Sequence, residues 1–454
     1  MSIKLSRKKI WLGVSIVLIV ALFTCLYNGL MASAATREAY EKLKLFADVL
    51  DIVEKNYVEE VKTGDLIYGS IKGMLETLDP HSSFMTPDDF KELQVETKGI
   101  FSGIGIEITL KDGILTIVSP IEGTPAYKAG LKAGDRILKI DGKTTKNMSL
   151  TEAVKKMRGP RGTKVTISIL REGWTEVKDF ALVRDVIPIH SVKHKTLEEG
   201  YGYVRIINFQ DKTSQDLKSA LDDLEQQNKP LKGLILDLRN NPGGLLEQAV
   251  KVADEFIEEG IIVYTDGRIK SQNVRFTAHE GEKPHPYPVI VLVNEGSASA
   301  SEIVAGALQD HKKAIILGAQ TFGKGSVQTV IPLDDGSGLR LTTARYYTPG
   351  GRSIQAKGIT PDIIVASQFN LHGEKMKKIK ILREKDLEHH IKNDREEAAP
   401  ETQPDIGEEE EKPDMDKDQK DEKDAGATLE EDIQLNRALQ ILKSWEIFSK
   451  VKVN

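Results

Sequence analysis

The sequence predicts a multidomain chain: two N-terminal amphipathic helices, then a compact β-rich module, then a larger α/β core. Apolar residues recur at helical spacing from Arg37 to Leu78, and short strands broken by glycine turns fill Lys98 to about Val183. From Ile187 to about Val365, buried-strand runs alternate with helical patterns, the signature of an α/β layer architecture. A length of 454 residues, with 39% hydrophobic and 29% charged, suits several soluble domains rather than a fibrous or disordered chain. The net charge of −6 provides no general cationic field, so nucleic acid is not an expected partner.

Residues 1–35 have the form of an export signal or membrane anchor. Lys4, Arg7, Lys8 and Lys9 precede the apolar run Ile10 to Tyr27, and the small residues Ala32, Ser33, Ala34 and Ala35 follow. The run is close to the roughly 20 residues that cross a bilayer, while Ala32-Ser33-Ala34 resembles a cleavage site. Both outcomes leave the body outside the cytoplasm, because the basic flank stays inside. The expected location is extracytoplasmic or periplasmic, free or held in the cytoplasmic membrane by residues 10–31. The one cysteine, Cys25, lies in this segment, so the body has no thiol for a disulfide, a nucleophile or a thiolate metal site. Thr24 before it argues against a lipoprotein site.

In the helical region 36–97, Leu43, Phe46, Leu50 and Val53, then Leu66, Ile67, Ile71 and Leu75, form stripes that suit internal packing or contacts between copies of the chain. Asp79-Pro80-His81-Ser82-Ser83 breaks the second helix, and Thr86-Pro87-Asp88-Asp89 reads as an N-cap followed by proline at the first helical position. His81, in a Pro/Ser turn, reads as a structural hydrogen-bonding residue rather than a base. The module 98–183 contains the strand runs Gly103 to Leu110, Gly113 to Pro120, Arg136 to Gly142 and Thr163 to Arg171, with a turn and helix at Thr124 to Asp135 and a helix near Leu150 to Met157.

The core 184–370 opens with the strand Tyr203 to Phe209 and a helix carrying Leu217, Ala220, Leu221 and Leu224 on one face. A buried strand, Leu234 to Leu238, leads through the turn Arg239 to Gly244 into a helix with Ala249, Val252, Ala253 and Phe256 inward. IIVYTDG and PVIVLV are further strands. Residues 371–395 read as an extension of the core. The segment 396–427, dominated by Glu, Asp, Lys and Pro, cannot bury enough apolar surface to offset its ordering entropy and reads as a disordered linker. A last helix within 428–454 carries Leu435, Ala438, Leu439, Leu442 and Trp445 on one stripe, which suits docking on the body or on a second copy.

The stretch Asn294 to Gln328 concentrates the chemistry. After PVIVLV, a Gly/Ser turn places Ser297, Ser299 and Ser301 at the start of a helix, where a serine serves either as an N-cap or as a nucleophile whose oxyanion meets free N–H groups. Spacing alone does not choose among the three. No G-x-S-x-G elbow and no H-E-x-x-H helix occurs. His311 lies some three turns along the same helix, at about 5.4 Å per turn, too far to serve as base. Lys324, between Gly323 and Gly325, remains as a base that desolvation would activate, or else as an exposed turn lysine. The turn Asn241-Pro242-Gly243-Gly244 offers oxyanion donors.

Two resemblances sharpen these readings. The β-rich module, with AGLKAGDRILKIDG as its most recognisable run, resembles a PDZ domain; Gly103, Ile104, Gly105 and Ile106 then belong to the loop and strand that take a peptide carboxylate. The runs DLRNNPGGLL, VLVNEGSASASEIVAGALQD and TFGKGSVQ, behind that module and an export segment, resemble the carboxy-terminal processing (tail-specific) proteases over roughly Thr36 to Val365. The resemblance implies an α/β serine protease core with Ser299 as nucleophile, Lys324 as base and Gln328 holding the lysine. It implies Ala300 and Gly243 as oxyanion donors, Arg158 as a coupling residue between the PDZ and protease domains, and no metal or other cofactor. Substrates would be protein or peptide C-termini, cleaved near the end. The rival readings are a PDZ scaffold or chaperone without catalysis, and a secreted esterase to which the PDZ module is superfluous.

Overall fold

The computed structural model describes residues 37, 39–111, 113–188, 190–279, 285–366, 382–393 and 432–450. The export segment and the acidic linker expected from the sequence lie outside them. Two units separate at Leu75. The first contains a helix at residues 39–56 and all but the last residue of the helix Thr63–Glu76, with Leu43, Phe46 and Ile52 of the expected stripe region exposed.

In the second unit, the turn at Asp79 leads to the helix Pro87–Lys98, whose N-cap Thr86 accepts from Asp89 N and whose first residue is proline. The run expected as one strand from Gly103 to Leu110 is instead divided. Ile100–Gly103 pairs with Asp185–Pro188, while Ile106–Lys111 joins the module's own sheet. The break falls at Gly105, with φ +78°, where a Cβ would lie 2.3 Å from Thr124 Cβ, so the chain turns there and only glycine fits.

The module's sheet runs in the order Ile106–Lys111, Ile114–Pro120, Arg136–Ile140, Lys164–Leu170, Lys178–Val183. Leu115, Ile117, Ile137, Ile167 and Ile169 form its buried centre. Ile106–Lys111 is an edge strand beside the helix Leu150–Met157, which leaves one backbone edge for an added strand. Arg184 closes that helix from below: its guanidinium donates to the carbonyls of Lys156 (2.8 Å) and Met157 (3.0 Å), two of the acceptors that a helix C-terminus leaves without partners.

The core is a six-stranded sheet in the order Val192–Glu198, Tyr201–Ile206, Gly233–Asp237, Val289–Val293, Ile315–Gly318, Ile363–Ile364, parallel throughout except for the first pair. Side chains alternate between its faces. Leu234, Leu236, Val289, Val291 and Val293 meet the helices Thr213–Gln227, Leu246–Asp254 and Ala300–Asp310. Ile235, Ile290, Leu292 and Leu317 face the terminal helix Ile433–Lys450 through Leu435, Ala438, Leu439 and Leu442. Both faces are therefore covered, as a parallel sheet requires. Of the expected terminal stripe, Trp445 is not buried: it is 58% exposed, and Ile447 and Phe448 are more open still, because Leu442 already packs on Gly233 at the start of its strand and the helix runs on past it. A second sheet joins Ser83–Met85, Gly338–Tyr347, Ile261–Gly267 and Arg275–Thr277, with Ser326–Pro332 also paired to Gly338–Tyr347.

Candidate active site

Three loops leave the carboxyl ends of adjacent parallel strands and converge, the usual place for a site in an open α/β sheet. They are residues 238–244 after Gly233–Asp237, residues 294–299 after Val289–Val293, and residues 319–325 after Ile315–Gly318. The first two are laced together. Asn240 N donates to Asn294 Oδ1 (2.8 Å), Asn294 Nδ2 to Asn240 Oδ1 (2.7 Å), and Ala298 N to Asn241 O (3.0 Å).

The three serines separate here by what their hydroxyls do. Ser297 is fully buried and donates to Leu238 O (2.8 Å), and Ser301, also fully buried, donates to Asn241 O (2.9 Å). Both hold backbone. Ser299 is half-buried, precedes the helix Ala300–Asp310, and makes no side-chain capping bond. Its backbone lies at φ +54°, ψ −111°, a conformation costing a non-glycine residue about 1–3 kcal/mol. Gly243 (φ +103°) is pressed against this residue: a Cβ there would lie 2.9 Å from Ser299 Cβ and 3.0 Å from Ala300 N. Gly243 N itself donates to Asn241 Oδ1 (2.9 Å).

The third loop is joined to the serine by a residue that the sequence reading left unused. Glu302 is fully buried, and its Oε2 accepts from Ser299 N (2.8 Å) and Lys324 N (2.9 Å). Its Oε1 accepts from Gly323 N (2.7 Å) and Thr321 Oγ1 (2.6 Å). The backbone nitrogens of Ser299 and Lys324 thus both lie within hydrogen-bonding distance of one oxygen atom. Burial pushes the Glu302 pKa up to about 7, against the pull of the four donors. Its position was legible in principle, because Ser299 and Glu302 have the S-x-x-E spacing of a capping box.

Burial likewise lowers the pKa of Lys324; the charges of Glu384, Asp79 and Glu302 oppose that shift, and Arg340 reinforces it. Glu384 comes from the segment 382–393 and is fully buried. Its carboxylate meets His81 Nε2 (2.8 Å) and accepts from Gln355 Nε2 (2.9 Å), while Gln355 Oε1 accepts from Gly325 N (3.0 Å). Glu384 N donates to Phe322 O (3.2 Å), so the segment holds the lysine loop directly before Lys324 and, through Gln355, after it. His81, expected to be structural, pairs with a residue 303 positions away, for which the sequence has no signal. Asp79 accepts from Ser82 Oγ (2.7 Å) and Thr342 Oγ1 (3.0 Å), and Gln328 Nε2 donates to Ser326 Oγ (2.9 Å) and Thr342 Oγ1 (3.4 Å).

In the β-rich module, Ile104 is buried in the core and Gly105 forms the bend, followed by the edge strand from Ile106. Ile104 O accepts from Ala126 N (2.9 Å) and Gly105 O from Ile121 N (3.0 Å). Gly103 ends the preceding strand, where a Cβ would lie 3.2 Å from the Phe101 ring. Arg158 follows the helix Leu150–Met157; its guanidinium lies 4.9 Å from the Phe101 ring centre and 3.4 Å from Glu92 on the helix Pro87–Lys98.

Residues 200–365 match peptidase family S41, residues 116–171 match a PDZ domain, and residues 28–89 match the N-terminal domain of the activating protease CtpB. The chain is 49% identical, over 79% of its length, to a carboxy-terminal-processing protease of Bartonella bacilliformis, 83% of which is covered. It is 39% identical, over 72% of its length, to the carboxy-terminal processing protease CtpA of Bacillus subtilis, 67% of which is covered. Among solved structures, a photosystem II D1 C-terminal processing protease is 32% identical, with 71% of this chain and 92% of that chain covered and a TM-score of 0.41.

Glu302→Ala leaves four donors without their buried acceptor, at a cost of about 3 kcal/mol or more. Urea unfolding should show a midpoint well below that of the unaltered chain, and an unchanged midpoint would remove the carboxylate from its structural role.

Proposed function

Because the chain belongs to the carboxy-terminal processing proteases of peptidase family S41, it is a serine-type peptidase, and we propose that Ser299 is its nucleophile and Lys324 its general base. The observation that carries the assignment is the shared Glu302 oxygen, which brings the backbones of these two residues to one point. Ser299 is also the serine of the three whose hydroxyl is not committed to holding a backbone carbonyl.

In the proposed reaction, neutral Lys324 Nζ takes the proton of Ser299 Oγ as that oxygen attacks the scissile carbonyl. The Ala300 N–H, at the positive end of its helix, stabilises the oxyanion together with the turn that carries Gly243. Gly243 N must exchange its bond to Asn241 Oδ1 for the substrate oxygen to take part. The protonated lysine then returns its proton to the leaving amine, and water releases the acyl group by the same steps. Gln328, on the neighbouring strand Ser326–Pro332, holds Lys324 once its amide turns from Ser326 Oγ and Thr342 Oγ1, to which it donates in this structure.

The substrate is a protein or peptide C-terminus. Its carboxylate is taken by the Gly103 to Ile106 segment, and its backbone adds to the free edge of Ile106–Lys111. Arg158 couples that event to the base: it touches Glu92, which lines a cleft together with Arg340, and Arg340 is one of the charges acting on Lys324. The basic and apolar character of residues 1–35 supports export, with the body outside the cytoplasm, and the exposed apolar side chains of residues 39–56 support association of copies.

With a peptide ending in an apolar residue, mass spectrometry should find cleavage near the C-terminus. Ser299→Ala should abolish it, and Lys324→Ala should slow it by about 10²-fold or more; cleavage surviving in both variants refutes the dyad. The base works only when neutral, so kcat/KM should climb with pH through an apparent pKa below the ordinary lysine value of 10.5. Glu384→Gln removes a charge that stabilises the lysine's protonated form, so this limb should move to lower pH; a shift to higher pH contradicts the assignment. Arg158→Ala should weaken activation by C-terminal peptides while a pre-bound substrate is cut at nearly the unaltered rate, and undiminished activation rules out the coupling.

A further inference from the structure

The terminal helix reaches the catalytic turn. Asp432, immediately before Ile433, caps the helix through Leu435 N (3.0 Å) and at the same time grips Arg239, 193 residues earlier in the chain. The grip is bidentate, Arg239 Nη1 to Asp432 Oδ1 (2.9 Å) and Nη2 to Asp432 Oδ2 (2.7 Å), the geometry in which Arg–carboxylate pairs are strongest. Gln434 Oε1 accepts a further bond from Nη1 (3.1 Å), and Gln434 Nε2 donates to Val365 O (2.8 Å).

Arg239 is the second residue after the strand Gly233–Asp237 and leads into the turn that carries Gly243. Asp237, only 1% exposed at its side chain, holds Arg239 Nε and Nη2, and Tyr203 Oη donates to the same carboxylate (2.8 Å). Asp237 cannot also satisfy the Nη1 side of the guanidinium. Without Asp432, Arg239 would keep one carboxylate and gain freedom to rotate about it, and Asn240 and Asn241 follow directly on the chain. These two residues hold Asn294 and Ala298, and so fix the distance between Gly243 and Ser299.

We infer that Asp432 is a positioning residue for catalysis, acting through Arg239 on the oxyanion turn, so that the docked terminal helix belongs to the working enzyme and is more than a cover for the sheet. The inference rests on the reading of Ser299 and the Gly243 turn as the reacting centre. It is tested in the full chain with Asp432→Asn and the conservative Asp432→Glu, using peptide cleavage and hydrogen exchange of residues 240–245. Asp432→Asn should lower kcat by about tenfold, the effect of losing one charge-assisted contact, with KM changed less than about twofold and faster exchange at 240–245. Asp432→Glu should recover most of kcat. Lys443→Ala, on the same helix, removes an exposed pair with Glu198 of the strand Val192–Glu198 and should change neither readout. If Asp432→Asn does not fold, Gln434→Ala should show the same two changes at smaller size. Unchanged kcat and unchanged exchange overturn the inference, as does a loss of thermal stability without either. If the unaltered chain cuts no peptide, the dyad reading fails, and the exchange measurement still decides whether Asp432 orders the turn.

Discussion

The Glu302 carboxylate accepts four hydrogen bonds from two loops that follow different strands: Ser299 N on one side, and Thr321 Oγ1, Gly323 N and Lys324 N on the other. Taking a carboxylate out of water costs several kcal/mol unless such donors replace the lost hydration. The exchange is favourable only when both loops are in place, so the buried group makes their positions interdependent. Its location in the first turn of the helix Ala300–Asp310 adds the favourable end of the helix dipole. The strained backbone of Ser299 is held between this clamp and Gly243, where there is no room for a side chain.

The rest of the fold supplies the rigidity that the clamp presupposes. Three loops converge because three parallel strands end together, and those strands are fixed by apolar contacts on both faces, with helices on one side and the terminal helix on the other. Polar tethers then take over where the apolar layers stop. Asn240 with Asn294, Arg239 with Asp237 and Asp432, and Glu384 with Gln355 and His81 each fix a loop just beyond a strand end. Asp237, Glu384 and Gln355 are buried, where an unpaired member is costly, so the tethers built on them favour a single arrangement.

Periodicity exposed the layers. Leu217, Ala220, Leu221 and Leu224 of the helix Thr213–Gln227 are all buried as their spacing requires, since a helix against a sheet has one solution for its apolar face. Trp445 had the same spacing and is exposed, because a stripe shows which side of a helix faces the body but not how far the body extends. The division at Gly105 was hidden for a similar reason: the clash that forces it is with Thr124, a tertiary neighbour. At the site, the serine-rich helix start and the glycine-flanked lysine were visible as residue types, while choosing Ser299 from three serines rested on family resemblance. The structure supplies a physical difference, since Ser297 and Ser301 spend their hydroxyls on backbone carbonyls. Glu302 was within reach of a capping-box argument. His81 with Glu384, and Arg239 with Asp432, were not, because pairs separated by hundreds of residues leave no local pattern.

Lys324 stands between opposing influences, and the structure shows which prevails. Burial disfavours its ammonium form, whereas Glu384, Asp79 and Glu302 favour it; the net displacement is downward, so desolvation outweighs three carboxylates with Arg340 on its side. The three are not equivalent. Asp79, whose own burial works to raise its pKa, is carried below the usual carboxylate range by bonds from Ser82, His81 and Thr342, and keeps its charge. Glu302, with its pKa pushed up to about 7, changes charge near neutrality, so its protonation withdraws one of the influences that keep the lysine protonated. A proton taken by Glu302 therefore withdraws the smallest of the carboxylate influences on Lys324 and makes the lysine easier to deprotonate. The residue that fixes the positions of the serine and the lysine thereby also bears on the charge state in which the lysine can act.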